Sequence, residues 1–337
     1  MRVLVTGASG FIGGAVLDRL VADGHDALGI GRRALARDRY ARIDLERPLD
    51  ATDLPDGFRP QVVVHAAARA SQWGSRARFV AQNVEATRTV LRFAASLPEP
   101  ARVVHLSTSS VVYRDRDQAE LDERSPAGPF LNDYAATKHA SERLVAAARV
   151  PWVTIRPRAV IGPGDAQLLP RLVDAARSRR LPRFEGSGLP SSLTTIDTLV
   201  EAIVRALDRD AALGTVIGVA NEEAVPVWEA IDRVLDGLGV PRPSLRLPLP
   251  AARALATSLE VAWRAGGLAG EPPITRYGVA VLGTQKRFRT ERMRRILGAP
   301  FETLDAGLDR VVAAARGQRE GAPAERGPGP RADGGAS

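Results

Sequence analysis

Met1-Arg2-Val3-Leu4-Val5-Thr6 runs straight into Gly7-Ala8-Ser9-Gly10-Phe11-Ile12-Gly13-Gly14, and residues 15–22 continue as Ala-Val-Leu-Asp-Arg-Leu-Val-Ala. The opening run is short and apolar, which predicts a buried strand. The later residues have helical spacing. A strand, a glycine loop and a helix in that order form the context of a dinucleotide site. The glycines permit a tight turn and close backbone approach, and the unpaired N–H groups at the helix start can hold a pyrophosphate. The spacing is GxxGxxG, on Gly7, Gly10 and Gly13. Glycine-rich turns are common, so the rest of the chain has to carry the argument further.

Strands alternate with helices up to about residue 160, which implies a parallel, doubly wound sheet. The second strand, over about residues 26–30, ends in Gly31-Arg32-Arg33. A carboxylate at that strand end would accept hydrogen bonds from the ribose hydroxyls of NAD. Two guanidiniums stand there instead, and arginine binds phosphate through charge-assisted hydrogen bonds. This favours NADP(H) over NAD(H), although an arginine-rich composition also places arginines in loops. Asp44 and Leu45 close the next short strand, with Asp44 placed to meet the adenine amino group. The strand over residues 61–65 ends in Ala66-Ala67-Ala68, small side chains that let a dinucleotide lie close to the sheet.

The chain has two lysines against 45 arginines, and one of them is Lys138 in Tyr134-Ala135-Ala136-Thr137-Lys138. Lysine is a compact ammonium, whereas arginine is a rigid, permanently charged fork. Positions i and i+4 share a helix face. The ammonium is therefore expected to lower the Tyr134 pKa and make it a general acid/base. Taken alone, such a spacing more often marks a solvated pair.

Composition removes several classes of function. The formal charge is +8, but the arginines are dispersed and aromatics make up only 5%, so no nucleic-acid surface is expected. With zero cysteines there is no disulfide framework, thiol nucleophile or Cys-ligated metal. His25, His65, His105 and His139 lack metal-ligand spacing, so no metal is expected. The chain opens on its first strand rather than a signal peptide, and no apolar run reaches transmembrane length. A cytoplasmic enzyme with no stable membrane insertion is expected.

Together these motifs resemble the extended short-chain dehydrogenase/reductases, also called the NAD-dependent epimerase/dehydratase family. The resemblance covers roughly the first 300 residues. It rests on the glycine loop, His65-Ala66-Ala67, Asn83-Val84, Leu106-Ser107-Thr108-Ser109, Tyr134/Lys138 and the run from Arg156 to Asp165. Looser matches at residues 70–75, 168–171 and 270–276 are similar to the 3β-hydroxysteroid dehydrogenase-like and 2-alkyl-3-oxoalkanoate reductase branch. One departure is Thr195-Ile196-Asp197-Thr198, where the family often has a tyrosine and then Asp-Asn.

The resemblance implies a Rossmann-type α/β fold with a smaller C-terminal α/β substrate-binding region. It implies a catalytic set of Ser109, Tyr134 and Lys138. Tyr134 would deliver the proton, and Lys138 would hold the nicotinamide-ribose hydroxyls. Register alone selects Ser109 from the run Ser107-Thr108-Ser109-Ser110, any of which could simply satisfy backbone. The implied cofactor contacts are Gly7, Gly10, Phe11, Ile12, Gly13, Arg32, Arg33, Asp44, Leu45, Ala66, Ala67, Ala68, Asn83, Ser107, Tyr134, Lys138, Pro157 and Val160. Asn83 is equally well read as a buried structural amide, and Tyr113 either faces substrate or packs. A homodimer through helices over about 76–96 and 132–148 is also implied.

The expected division is a dinucleotide-binding part over 1–165, a substrate-binding part over 166–316 with elements returning to the sheet, and a disordered tail over 317–337. That tail is rich in Gly, Pro, Ala and charge. Residues 248–267 are apolar. They read first as a helix packed on its own domain, and second as a wall for a lipid-like substrate or a membrane contact.

Three functions stay open. The leading one is an NADP(H)-dependent oxidoreductase interconverting a secondary alcohol and a ketone on a small hydrophobic substrate. That substrate would be a 3-oxo acid or a sterol-like or polyketide-like ring. The second is a nucleotide-sugar epimerase or dehydratase with tightly bound NAD. Ser110-Val111 after Ser109 counts against dehydration, because resembling dehydratases place Asp-Glu there. The third is a non-catalytic NADP(H)-binding regulator, which would usually have lost the Tyr/Lys pair.

Overall fold

The computed structural model describes residues 1–165, 169–186, 188–298 and 302–320. Seven strands form one parallel sheet: β1 (Arg2–Thr6), β2 (Asp26–Gly31), β3 (Tyr40–Arg42), β4 (Val62–His65), β5 (Arg102–Leu106), β6 (Trp152–Pro157) and β7 (Thr215–Val219). Their spatial order is β7-β6-β5-β4-β1-β2-β3. The order reverses between β1 and β4, and in such sheets the ligand crevice lies at that reversal, outside the strands' carboxyl ends. The register brings those ends level, pairing Thr6 with His65 and His65 with His105.

Successive strand residues point to opposite faces. Val3 and Val5 meet Val16, Leu17 and Leu20 of α1 (Phe11–Ala22) on one face. Leu4 and Val63 meet Val90 and Phe93 of α2 (Ala86–Ser96) on the other. Burial on both faces explains why these strands are continuous apolar runs rather than alternating ones.

Two further helices position the site. α3 (Asp133–Ala146) is capped by Asn132, whose side chain accepts from the Ala135 N–H at 2.9 Å. α4 (Ile196–Ala206) is capped by Thr195, which accepts from the Thr198 N–H. The departure at Thr195-Ile196-Asp197-Thr198 therefore still starts a helix, with a hydroxyl as its cap.

The C-terminal half builds a second core around Phe184, Trp228, Leu235, Val279 and Leu308. Its strands are short pairs, among them Val160–Ile161 with Thr194–Thr195 and Gln118–Leu121 with Lys286–Phe288. β7 leaves this half to join the large sheet. The apolar stretch near residue 250 is α5 (Leu249–Ala265), which puts Ala252 and Ala256 into the second core and leaves Leu255 and Val261 exposed. α6 (Arg276–Gly283) follows, and the last helix, Leu304–Glu320, carries residues 317–320 in helix where the sequence predicts disorder. The remainder of that predicted tail, 321–337, lies outside the described residues. Among the described residues no helix is long and apolar enough to cross a membrane.

Candidate active site

The glycine loop turns because Gly7 takes φ +71°, and it cannot carry a side chain, since a Cβ there would lie 2.7 Å from the Ala67 nitrogen. A Cβ on Gly13 would lie 2.4 Å from the Gly7 carbonyl oxygen. These contacts seat the start of α1 directly on the ends of β1 and β4. The Thr6 hydroxyl joins the two ends, accepting from the Ala67 N–H at 3.1 Å and meeting His65 Nδ1 at 2.8 Å. No side chain caps α1 at Gly10. The first-turn N–H groups of a helix have no intrahelical partner. Here they open onto a cavity of about 530 Å³, so the start of α1 fits an anionic diphosphate.

Of the cofactor positions expected from sequence, Gly7, Gly10, Phe11, Ile12, Gly13, Arg32, Arg33, Asp44, Leu45, Ala66, Ala67 and Ala68 line one end of this cavity. Ser107, Tyr134, Lys138, Pro157 and Val160 line it as well. Arg32 is half-exposed and reaches Glu46 at 3.4 Å, and Glu46 also faces the cavity.

Asn83 does not face the cavity. It is buried within a π-helical turn, Val80–Glu85, just before α2. Its oxygen accepts from the Arg69 N–H at 2.7 Å, and its amide nitrogen donates to the Thr137 hydroxyl at 3.0 Å. The extra residue of a π turn rotates this side chain inward, and the result is a clamp on α3, not a cofactor contact.

Tyr134 and Lys138 stand on one face of α3 and share the cavity wall. Lys138 is 1% exposed, with its Nζ 3.3 Å from His105 Nε2. Burial, and then the Lys138 charge, hold His105 well below the ordinary histidine value, so the ring is a neutral acceptor for the ammonium. Burial pushes Lys138 itself down to about 8, with the Glu142 carboxylate opposing. Glu142 is also buried, which favours its neutral form. The Arg156 fork at 2.8 and 2.7 Å overrides this and holds the carboxyl down to about 2. Ser107 donates to the same carboxylate.

Two expectations are corrected here. Lys138 does not lower the Tyr134 pKa. Burial raises it, followed by the influence of Tyr277, because a phenolate away from water loses more solvation than its neighbours return. And Ser109 does not face the cavity. Its hydroxyl is buried 2.8 Å from that of Tyr113, while Thr108 lines the cavity with Tyr134 and its hydroxyl acts to lower the Tyr134 pKa. Thr108 also reaches Ser110 at 3.1 Å, and Ser110 meets the Tyr277 hydroxyl of α6 at 2.7 Å. Sequence reasoning gave no role to Thr108 or Tyr277, read His105 as a core or near-cofactor residue, and reached Arg158 only within the segment 157–160 that the resemblance places by the nicotinamide. Of the first two, only Thr108 had a signal, its place in the Ser/Thr run.

The model of the NAD dependent epimerase/dehydratase family matches residues 3–220. The chain belongs to that family. It is an NAD(P)-dependent oxidoreductase of the extended short-chain dehydrogenase/reductase type and uses a nicotinamide cofactor. It is similar to the 2-alkyl-3-oxoalkanoate reductase of Stenotrophomonas maltophilia, 33% identical over 93% of this chain and 99% of that one. It is equally similar to the 4-hydroxy-2-methyl-3-oxo-4-farnesyl-3,4-dihydroquinoline-1-oxide ketoreductase of Stigmatella aurantiaca, 33% identical over 92% and 95%. Both relatives reduce ketones by name, in keeping with the branch whose motifs the sequence resembles. The fold is shared with UDP-glucuronic acid 4-epimerase from Bacillus cereus in complex with NAD, at a TM-score of 0.72 and 22% identity over 96% of this chain and 99% of that one.

Proposed function

We propose that this family member is an NADP(H)-dependent reductase/dehydrogenase that interconverts a ketone and a secondary alcohol on a small hydrophobic substrate. The observation that carries the reading is the Tyr134/Lys138 pair on the wall of a cavity that continues into an apolar pocket. That pocket, of about 80 Å³, is lined by residues such as Leu172, Leu193, Val234 and Leu308. The two ketone-reducing relatives support the same chemistry.

A bound nicotinamide would supply the hydride in reduction and receive it in oxidation. Tyr134 provides the proton to the carbonyl oxygen, and its raised pKa keeps the phenol protonated at neutral pH. Thr108 donates to the same oxygen as its charge develops. Lys138, steadied by His105, holds the ribose hydroxyls. Arg32 and Arg33 support NADP(H), since Arg33 lines the cavity and its guanidinium has no partner among the described residues. A homodimer through 76–96 and α3, and a cytoplasmic setting, belong to the same proposal, and light scattering on the purified protein tests the first.

The test of function needs no substrate. The purified protein is denatured to release any nucleotide, and fresh protein is titrated with NADPH and NADH. Tighter, reversible NADPH binding to a largely empty protein is expected. A protein that arrives loaded with NAD and exchanges it poorly would replace this reading with an internally recycling epimerase.

A further inference from the structure

Arg158 is among the largest fully buried side chains of the protein, 2% exposed. Its Nε and Nη2 are buried without a hydrogen-bond partner, and it forms no ion pair with any described residue. The side chain lines both the large cavity and the apolar pocket, so it stands where the two meet. Its backbone is clamped. The Arg158 N–H donates to the Val219 carbonyl at 3.2 Å, and the Thr194 hydroxyl donates to the Arg158 carbonyl at 2.6 Å. The next residue, Ala159, takes φ +39°, a left-handed conformation that non-glycine residues rarely adopt. The chain thus accepts backbone strain where this guanidinium is presented.

One neighbour offers partial compensation, the Tyr113 ring, with its centroid 5.5 Å from Arg158 Cζ. A cation–π contact returns only part of what it costs to remove a guanidinium from water. The contact therefore leaves part of the burial cost unmet. Lys286, the second of the chain's two lysines, lies 5.8 Å from the same ring centroid and brings no negative charge to offset the guanidinium. Its Nζ is occupied, donating to the Arg116 carbonyl at 2.9 Å and to the Gln285 carbonyl at 3.1 Å. Asp165 lines both cavities too, but its carboxylate accepts from the Leu169 N–H at 2.9 Å and makes no ion pair with Arg158.

We propose that Arg158 anchors a carboxylate of the substrate, whose alkyl chain enters the apolar pocket of Leu172, Leu193, Val234 and Leu308. The inference rests on the ketone/alcohol reading of the site and narrows it, selecting an oxo acid or its hydroxy acid in free form over an uncharged ring. Thr108, Ser110 and Tyr277 form a run of hydroxyls lining the same cavity as Tyr134 and Arg158. A carboxylate on Arg158 would gain charge-assisted hydrogen bonds from donors that now have no acceptor. The carbonyl would sit toward Tyr134 while the aliphatic part stays dry.

The test is calorimetric binding to the full-length protein with saturating NADP⁺, using decanoate, decanol and UDP as probes, on wild type, Arg158→Gln and Arg158→Lys. Decanoate is expected to bind about ten- to a hundredfold more tightly than decanol, as the loss of a hydrogen-bonded charge implies. Arg158→Gln should erase that preference while leaving decanol and NADP⁺ affinity in place, and Arg158→Lys should keep part of it. Equal wild-type binding of decanoate and decanol would overturn the proposal, and so would an undiminished preference in Arg158→Gln. Binding of UDP in place of decanoate would move the guanidinium to a diphosphate and overturn it too. If Arg158→Gln does not fold, the wild-type ratio and Arg158→Lys decide. Decanoate binding as expected, with no turnover of any oxo acid, would instead remove the reductase reading and keep the anchor.

Discussion

Ser109 Oγ lies 2.8 Å from the Tyr113 hydroxyl, and both side chains are buried. The member of the Ser/Thr run that lines the cavity with Tyr134 and acts on its phenol is Thr108. If Thr108 stabilises the developing oxyanion, Thr108→Val should lower kcat about a hundredfold, the usual effect of removing one such donor. Ser109→Ala, which releases a structural pair, should cost less than about tenfold and act mainly on stability. Steady-state kinetics on the two variants, with thermal melting as a control, decide between them. The reverse ranking would return the role to Ser109.

Lys138 titrates within reach of neutral pH, since burial pushes it down to about 8 against the pull of Glu142. For a lysine whose folded pKa is depressed, the ammonium is present below that value and lost above it. Reductase kcat/KM should therefore fall as pH rises through about 8, with a limiting slope of one proton. Tyr134, shifted upward, stays protonated across this window and does not add to the fall. Lys138→Met should be slow and flat from pH 7 to pH 9.5. A wild-type profile that is also flat would remove Lys138's charge from the reaction.

Much of this was legible in the chain. The apolar run Val3–Val5, the three glycines and the i,i+4 pair Tyr134/Lys138 are local patterns, and each sets its own geometry. What stayed hidden depends on contacts between distant segments. A 3-10 turn over Ser109–Val112 decides which hydroxyl of a four-residue run faces inward, and spacing alone cannot show it. A π turn removes Asn83 from the cavity. Desolvation reverses the expected direction of the Tyr134 shift, and burial is a tertiary property. Arg158 is one of 45 arginines and gains meaning only from the carboxylate it lacks.

The arginines after β2 predict a cofactor preference. Arg32 and Arg33 both line the cavity beyond the glycine loop. Hydrogen bonds to a charged group contribute about 1.5–3 kcal/mol each. The double variant Arg32→Ala/Arg33→Ala should thus weaken NADPH about a hundredfold or more and change NADH by less than about twofold, measured by fluorescence titration. Equal losses for both nucleotides would place these arginines outside phosphate recognition. A wild type that prefers NADH would give the weight to Glu46 instead.

The glycine loop predicts a contrast in stability. A Cβ on Gly13 would meet the backbone oxygen of Gly7 at 2.4 Å, an atom that cannot yield without moving the turn. Gly13→Ala should cost about 1–3 kcal/mol or more and abolish nucleotide binding. Gly24→Ala is the control. It has φ +79° but nothing within 4 Å, so only the left-handed backbone opposes it, by about 1–2 kcal/mol, with binding intact. Urea denaturation and nucleotide titration separate the two. A Gly13→Ala protein that still binds nucleotide would contradict the seating of α1 described above.

His65 should make the fold sensitive to acid. Its Nδ1 meets Thr6 at 2.8 Å and its Nε2 meets Thr87 at 3.0 Å, both inside the sheet's core. Burial, and then the Lys138 charge, lower its pKa to about 3. The unfolded chain binds a proton here below the ordinary histidine value, whereas the folded protein refuses it until about pH 3. Between those two values the unfolded state holds more protons, so stability falls as pH falls from about 6.5. The slope is about 1.4 kcal/mol per pH unit for this one group. His105 shifts in the same direction and steepens the curve. Denaturant melts from pH 7 to pH 5 on wild type and His65→Gln test this. The variant should lose close to one proton of slope, because glutamine keeps polar contacts with Thr6 and Thr87 but does not titrate. Parallel curves for the two proteins would mean that His65 is protonated in the fold, and that the Thr6–His65–Thr87 bridge tolerates a charge.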